Sequence, residues 1–247
     1  MKLVCRMLVV NLVGLGCLVP QAFAQSAYTH VAVVQVKPNS TAVGQWEAAQ
    51  RDYVAMCKKA GWPSARGVWQ TATGNTSEYR ILTPLAKLSN QDSPASPGTD
   101  QQMSLWVARA SSCAEERRTV IIENQADLSI PAKPGRTPAL AELVLRELNV
   151  GYTEDFINLR RDTMLPAYKK AGADGIFVGR LRYGGSRSLW TTLRLKDSWA
   201  DIEAGDALRE GLGEAGFQRM LDASQDMTKS IEWITLRYRP DLSYTPD

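Results

Sequence analysis

The chain says nearly the same thing twice. Lys58-Lys59-Ala60-Gly61 returns as Lys169-Lys170-Ala171-Gly172, and Asp127-Leu128-Ser129-Ile130 returns as Asp241-Leu242-Ser243-Tyr244, at nearly the same spacing. Self-similarity at a fixed offset implies one supersecondary unit used twice, so the fold is read per copy.

Each copy opens on a strand, residues 31–37 in the first and 143–150 in the second. A long helix follows. In the first copy Val43, Trp46, Ala49, Tyr53, Met56 and Ala60 share one face, and Gly61 stands at the C-cap. In the second, Thr153 with Glu154 and Asp155 starts a helix that carries Phe156, Leu159 and Tyr168 and stops at Gly172; Pro166 inside it predicts a kink. Next comes a hairpin around a glycine turn: 68–72 and 78–85 about Gly74-Asn75, then 175–183 and 188–196 about Gly184-Gly185. Second helices are expected over 101–116 and 206–227, and closing strands over 119–124 and 231–239. The order β-α-β-β-α-β, twice, is the ferredoxin-like unit. Prolines 131, 134 and 138 punctuate a linker, so the expected organisation is 1–24 leader, 25–130 first unit, 131–141 linker and 142–247 second unit. The polar stretch 89–99, with Pro94 and Pro97, reads as a loop.

Lys2 and Arg6, the apolar run 7–19 and Ala22-Phe23-Ala24 form a secretory leader cut before Gln25; a lipoprotein cut before Cys17 is the weaker alternative. The expected compartment is therefore secreted or periplasmic. Losing two basic residues leaves 27 basic against 26 acidic side chains, which argues against nucleic acid and against anionic lipid as partners. No later stretch is long and apolar enough to span a membrane. Cys57 and Cys113 stay in the mature chain. With both helices expected to end at the same end of the unit, the pair is a disulfide candidate in an oxidising compartment, although free cysteine is also a good small core residue. No CxxC or His-Cys cluster is present, so no metal site is expected.

A ferredoxin-like unit covers one sheet face with helices and leaves the other bare, and two units can bury the bare faces against each other as a pseudo-twofold barrel. With the helix end Leu165-Pro166-Ala167-Tyr168-Lys169-Lys170-Ala171-Gly172 and the terminal strand Arg237-Tyr238-Arg239-Pro240-Asp241-Leu242-Ser243, the chain resembles the dimeric α+β barrel superfamily and within it the NIPSNAP-type proteins. The resemblance implies an α+β fold of two tandem ferredoxin-like units. Its members range from haem monooxygenases and chlorite dismutase relatives to proteins without assigned chemistry, so it fixes no reaction. The haem-using relatives hold iron through a histidine on or near a helix; His30, the sole histidine, lies at the start of the first strand. No cofactor is therefore expected. Gly211-Leu212-Gly213-Glu214-Ala215-Gly216 matches G-x-G-x-x-G but follows helix-forming residues rather than a strand, so the glycines are read as breaking a helix. Asn39-Ser40-Thr41 and Asn75-Thr76-Ser77 match the glycosylation pattern, which also recurs by chance.

Strand alternation then assigns the faces. Phe177, Leu181, Leu193, Leu195, Ile234 and Leu236 form an apolar face expected beneath the helices. The opposite face carries Arg180, Arg182, Trp190, Arg194, Trp233 and Arg237 with Glu147, and in the first copy Gln35, Trp69, Thr71, Tyr79, Ile81, Ile121 and Glu123. These are expected inside the barrel, either as a satisfied ion-pair network or as a pocket for a small aromatic or anionic molecule. The leading reading is an exported small-molecule-binding barrel. The alternatives are a cofactor-poor monooxygenase or isomerase using Glu147, Tyr79 or Arg194, and a structural or partner-binding module; a homo-oligomer stays open. N-terminal sequencing of the exported protein is expected to begin at Gln25; a lipidated Cys17 or a retained Met1 would contradict the leader.

Overall fold

The computed structural model describes residues 28–92, 95–134, 136 and 138–246; the expected leader and Pro94 lie outside them. The first half comprises β1 (His30–Pro38), α1 (Val43–Ala60), β2 (Gly67–Thr71), β3 (Tyr79–Leu85), α2 (Asp100–Ser112) and β4 (Ala114–Asn124). The second comprises β5 (Leu140–Leu148), α3 (Thr153–Leu159), a π-helical turn (Arg160–Met164), α4 (Leu165–Lys170), β6 (Ile176–Tyr183), β7 (Leu189–Lys196), α5 (Trp199–Glu203), α6 (Ala207–Gln225) and β8 (Thr228–Tyr238). All eight strands pair antiparallel in one closed barrel, β1-β3-β2-β8-β5-β7-β6-β4. The β2–β8 seam joins Trp69–Thr71 to Leu236–Tyr238, and the β4–β6 seam joins Ile121–Asn124 to Gly179–Tyr183.

Both seams are reinforced by an arm from the opposite half. After β8 the chain makes a 3₁₀ turn, Pro240–Leu242, and exchanges backbone hydrogen bonds between Tyr244 and Arg66, at 2.8 Å each, ahead of β2. The Ser243 hydroxyl accepts from the Val68 N–H at 2.8 Å and donates to the Arg239 carbonyl at 2.7 Å. After β4 the turn Ala126–Leu128 does the same to β6. Ile130 pairs with Ile176, and the Ser129 hydroxyl accepts from Val178 N–H at 2.9 Å and donates to the Gln125 carbonyl at 2.7 Å. Leu128 and Leu242 are fully buried beneath these turns. The recurring Asp-Leu-Ser is thus a clasp.

Helix ends follow the expected chemistry. Gly61 closes α1 with φ 55°, ψ 45°, and Thr99 with Gln102 forms a capping box that opens α2. Four expectations need correction. The closing strands start earlier, at Ala114 and Thr228, and the second helix ends sooner, at Ser112; polar Glu115-Glu116 reads as a helix end but lies on an exposed strand. Strand β5 starts at Leu140, inside the expected linker 131–141, and ends at Leu148, before the expected Val150. The helix around Pro166 is interrupted by the π turn just before the proline rather than at it. Finally, Cys57 and Cys113 are free and buried. Helix α1 follows β1 and α2 follows β3, and β1 and β3 are antiparallel, so the helices run in opposite directions and their C-termini lie at opposite ends. Cys57 packs with Val54 and Tyr244, where burial pushes its thiol up to about 11; Cys113 packs with Val36 and Trp46.

The glycine-rich segment does interrupt a helix, at Gly213 with φ 68°, ψ 165°. Its neighbour Gly211 has a different task. A Cβ there would stand 2.1 Å from the Ala167 carbonyl oxygen, so α6 can approach α4 only with glycine at that point. Gly211→Ala is expected to cost ~1–3 kcal/mol in urea unfolding. At Gly44 in α1 a Cβ meets nothing within 4 Å, and Gly44→Ala is expected to stabilise by about 0.5 kcal/mol. Equal effects from the two would contradict the helix contact.

Candidate functional site

Pairing register decides which side chains face inward. From the first half these are Val31, Val33 and Gln35 of β1, Arg80 and Leu82 of β3, and Arg118, Val120 and Ile122 of β4. The second half adds Leu143 and Leu145 of β5, Phe177 and Leu181 of β6, Leu189, Thr191 and Leu193 of β7, and Leu236 of β8. They enclose a cavity of about 380 Å³, within the ~300–1,000 Å³ of small-molecule pockets.

The wall is mostly aliphatic, and its charge gathers at the hairpin end. Gln35 stands opposite Arg80 on one side and Arg118 on the other, with Glu78 and Glu232 alongside. Arg80 is only 6% exposed. Its Nη1 donates to Thr71 Oγ1 at 2.7 Å, its Nη2 lies 3.7 Å from Glu78, and its buried Nε has no hydrogen-bond partner. Burial pulls the guanidinium below its ordinary pKa, and Glu78 and Glu232 oppose that only in part. At the other end Tyr28 lines the cavity. Its buried hydroxyl has no partner either, and burial raises its pKa. Gln35 and Val31 are about 13 Å apart along the strand, so the space is long, greasy and polar at its poles. The seams part at the hairpin end: pairing of β6 with β4 begins at Ile121, although β4 starts at Ala114. Arg118 reaches across that gap, its Nε and Nη2 donating to the Gly184 carbonyl at 3.2 and 2.6 Å.

The two faces are therefore largely the reverse of the sequence expectation. Phe177, Leu181, Leu193 and Leu236 line the cavity, and most of the aromatic and arginine set lies on the outer, helix-facing side. Tyr79 packs 4.4 Å from Trp46 of α1 and donates to Glu47 at 2.8 Å, with Ile81 in the same cluster. Trp190 meets Phe156 of α3 at 5.1 Å, and Arg180 lies 5.8 Å over the Trp190 ring while donating to the Arg187 carbonyl. Arg182 and Glu123 face each other at 3.9 Å. Arg194 pairs with Asp206 at 3.2 Å and Glu142 at 3.6 Å, beneath a Trp233 ring that is 52% exposed. Arg237 is exposed on the rim of a surface groove with Trp199. Ile121 shares the outward side with Ala32. Only Gln35, Trp69 and Thr71 keep the expected inward side; Trp69 packs with Leu236 and with Tyr238, 5.0 Å away. Glu147 shares the side of Leu143 and Leu145 but sits beyond the cavity, held by Lys229 at 3.2 Å and Ser186 at 3.3 Å. Glu147, Tyr79 and Arg194 do not converge on one space.

The reversal has a physical reason. The interior of an eight-stranded barrel has room for its side chains and at most one small ligand, shut off from water, so it takes aliphatic groups, while beneath a helix a long arginine covers apolar surface with its stem and carries its charge to the helix margin. Arg80, Arg118 and Tyr28 were missed; the legible signal was Gln35, because antiparallel register places Arg80 and Arg118 on either side of it. His30 stands off the cavity wall, its Nδ1 2.8 Å from Thr29 Oγ1. Among the described residues no group of three His, Cys, Asp or Glu could hold a metal ion.

No family model matches the chain, and no curated protein matches it significantly. Solved structures do. A candidate monooxygenase from Lactobacillus acidophilus superposes with a TM-score of 0.62 at 10% identity, over 88% of this chain and 97% of that one. A second, from Fusobacterium nucleatum, gives 0.64 at 12% identity over 87% and 94%. Chlorite dismutase from Candidatus Nitrospira defluvii gives 0.54 at 7% identity over 90% and 95%. Both chains of each pair are matched almost throughout, so the likeness extends over the whole barrel: the chain has the fold of the dimeric α+β barrel proteins.

Proposed function

We propose that the protein binds a small amphipathic acid, its apolar body inside the barrel and its anionic head at Arg80. One observation carries this reading: a buried guanidinium with an unpartnered Nε faces an aliphatic cavity of about 380 Å³. An arginine stays charged at neutral pH and forks onto carboxylates, so it selects for an acid. Gln35 and Arg118 supply further donors next to it, and Tyr28 offers one at the far pole. The reading includes export through the 1–24 leader and descent from a duplicated ferredoxin-like unit of NIPSNAP type. Matching hydrogen bonds support the duplication: Asn39 N–H to Cys113 O recurs as Asn149 N–H to Met227 O, both at 2.9 Å.

Calorimetric titration with 2-naphthoate tests the site. Arg80→Leu is expected to weaken binding at least tenfold, about 1.4 kcal/mol, and Arg237→Leu, on the exposed surface, to leave it unchanged. Equal affinity in wild type and Arg80→Leu would overturn the assignment.

A further inference from the structure

Another arginine is buried on the opposite side of the sheet, and no ion pair to a carboxylate is formed by it among the described residues. Arg160 opens the π turn between α3 and α4 and is 4% exposed. Its Nη1 lies 3.8 Å from the Met164 sulfur, a weak acceptor, and its Nε and Nη2 are buried with no hydrogen-bond partner. The guanidinium lies 5.5 Å from the Tyr168 ring, and the Tyr168 side chain offsets part of the cost of its burial. Arg146, on the helix-facing side of β5, lies 5.7 Å from Phe156 and donates to Thr228 at 2.6 Å. The charges of Arg146 and Arg194 both bear on Arg160. Among the described residues, the carboxylates paired within this trio, Asp206 and Glu142, both belong to Arg194.

In the first half the matching layer holds a buried cation too, Arg66, but neutral acceptors satisfy it: the Gln50 side chain and the Leu242 carbonyl. Asn39 matches Asn149 and Trp46 matches Phe156, a spacing of 110, so Gln50 matches Arg160 and Val36 matches Arg146. Gln50 is neutral, fully buried and satisfied, its Oε1 accepting from Arg66. At the helix ends, Lys58 and Lys169, the spacing is 111, and the π turn starting at Arg160 takes up the extra residue. Such insertions are frequent at functional sites. Two neutral positions in one half have become two cations in the other, and an uncompensated buried ion costs several kcal/mol.

We propose that Arg160, with Arg146 and Tyr168 beside it, forms an anion-receiving site between the π-turn helix and the outer sheet face, taking the carboxylate or phosphate oxygens of a small molecule. The site is separate from the barrel cavity, because Arg146 and the cavity-lining Leu145 lie on opposite faces of β5.

Thermal unfolding at constant ionic strength, with chloride replaced by inorganic phosphate or by benzoate, tests this. Wild type is expected to gain about 3–5 °C with at least one of the two, and the anion that gives the shift identifies the group recognised. Arg160→Gln, which installs the first half's residue, and Arg160→Leu are both expected to lose the shift while still unfolding cooperatively. No shift over chloride with either anion in wild type would overturn the site. So would an undiminished shift in both variants, which would place the anion elsewhere, at Arg80 for instance.

Discussion

Closure of the barrel rests on two serine-centred clasps. The seam strands meet over only Trp69–Thr71 with Leu236–Tyr238 and Ile121–Asn124 with Gly179–Tyr183. The arms that follow β4 and β8 extend those seams. Each buries a leucine, worth roughly 2 kcal/mol, and adds hydrogen bonds worth about 1 kcal/mol apiece. Against the 5–15 kcal/mol that hold a typical domain together, two such arms decide whether the halves form one cylinder. The C-terminal arm is anchored further by charge. Arg239 binds Glu47 and Asp241, and Arg51 bridges the same two acids; the hydrogen bond from Arg239, with lesser help from Tyr79, holds the Glu47 carboxyl below its usual range.

A closed interior follows from that closure. Once the seams are shut, inward side chains have no helix margin to reach and no water beyond the barrel ends. Aliphatic residues fill most of the wall, and the polar ones collect where the strands splay. Arg80 is the exception that gives the interior its chemistry, because Thr71 and Glu78 satisfy only part of its guanidinium.

Much of this was legible in the sequence. The recurring Lys-Lys-Ala-Gly marks two helix ends, and the recurring Asp-Leu-Ser marks the clasps, although its purpose emerges only when each arm is seen on the other half. Alternation separated the two sheet faces, but not which face was which. An aliphatic face and an aromatic, arginine-bearing face can each be covered, and hydrophobicity alone favoured placing the aliphatic one under the helices. The deciding facts were the narrowness of the barrel and the reach of arginine stems, which are properties of the closed assembly. The antiparallel course of α1 and α2 likewise follows from strand direction, and it separates Cys57 from Cys113. The π turn was foreshadowed by the change of spacing between the halves, from 110 to 111, where Pro166 drew attention to the wrong residue.

The central claim is that ligand enters the barrel rather than the layer between helices and sheet. Methyl-resolved NMR of the protein titrated with 2-naphthoate reads this directly, since valines on single strands face both ways. The account predicts ligand contacts to Val33 and Val120, on the cavity wall, and none to Val34, Val36 and Val144, on the helix-facing side. Contacts confined to Val34, Val36 and Val144 would contradict it.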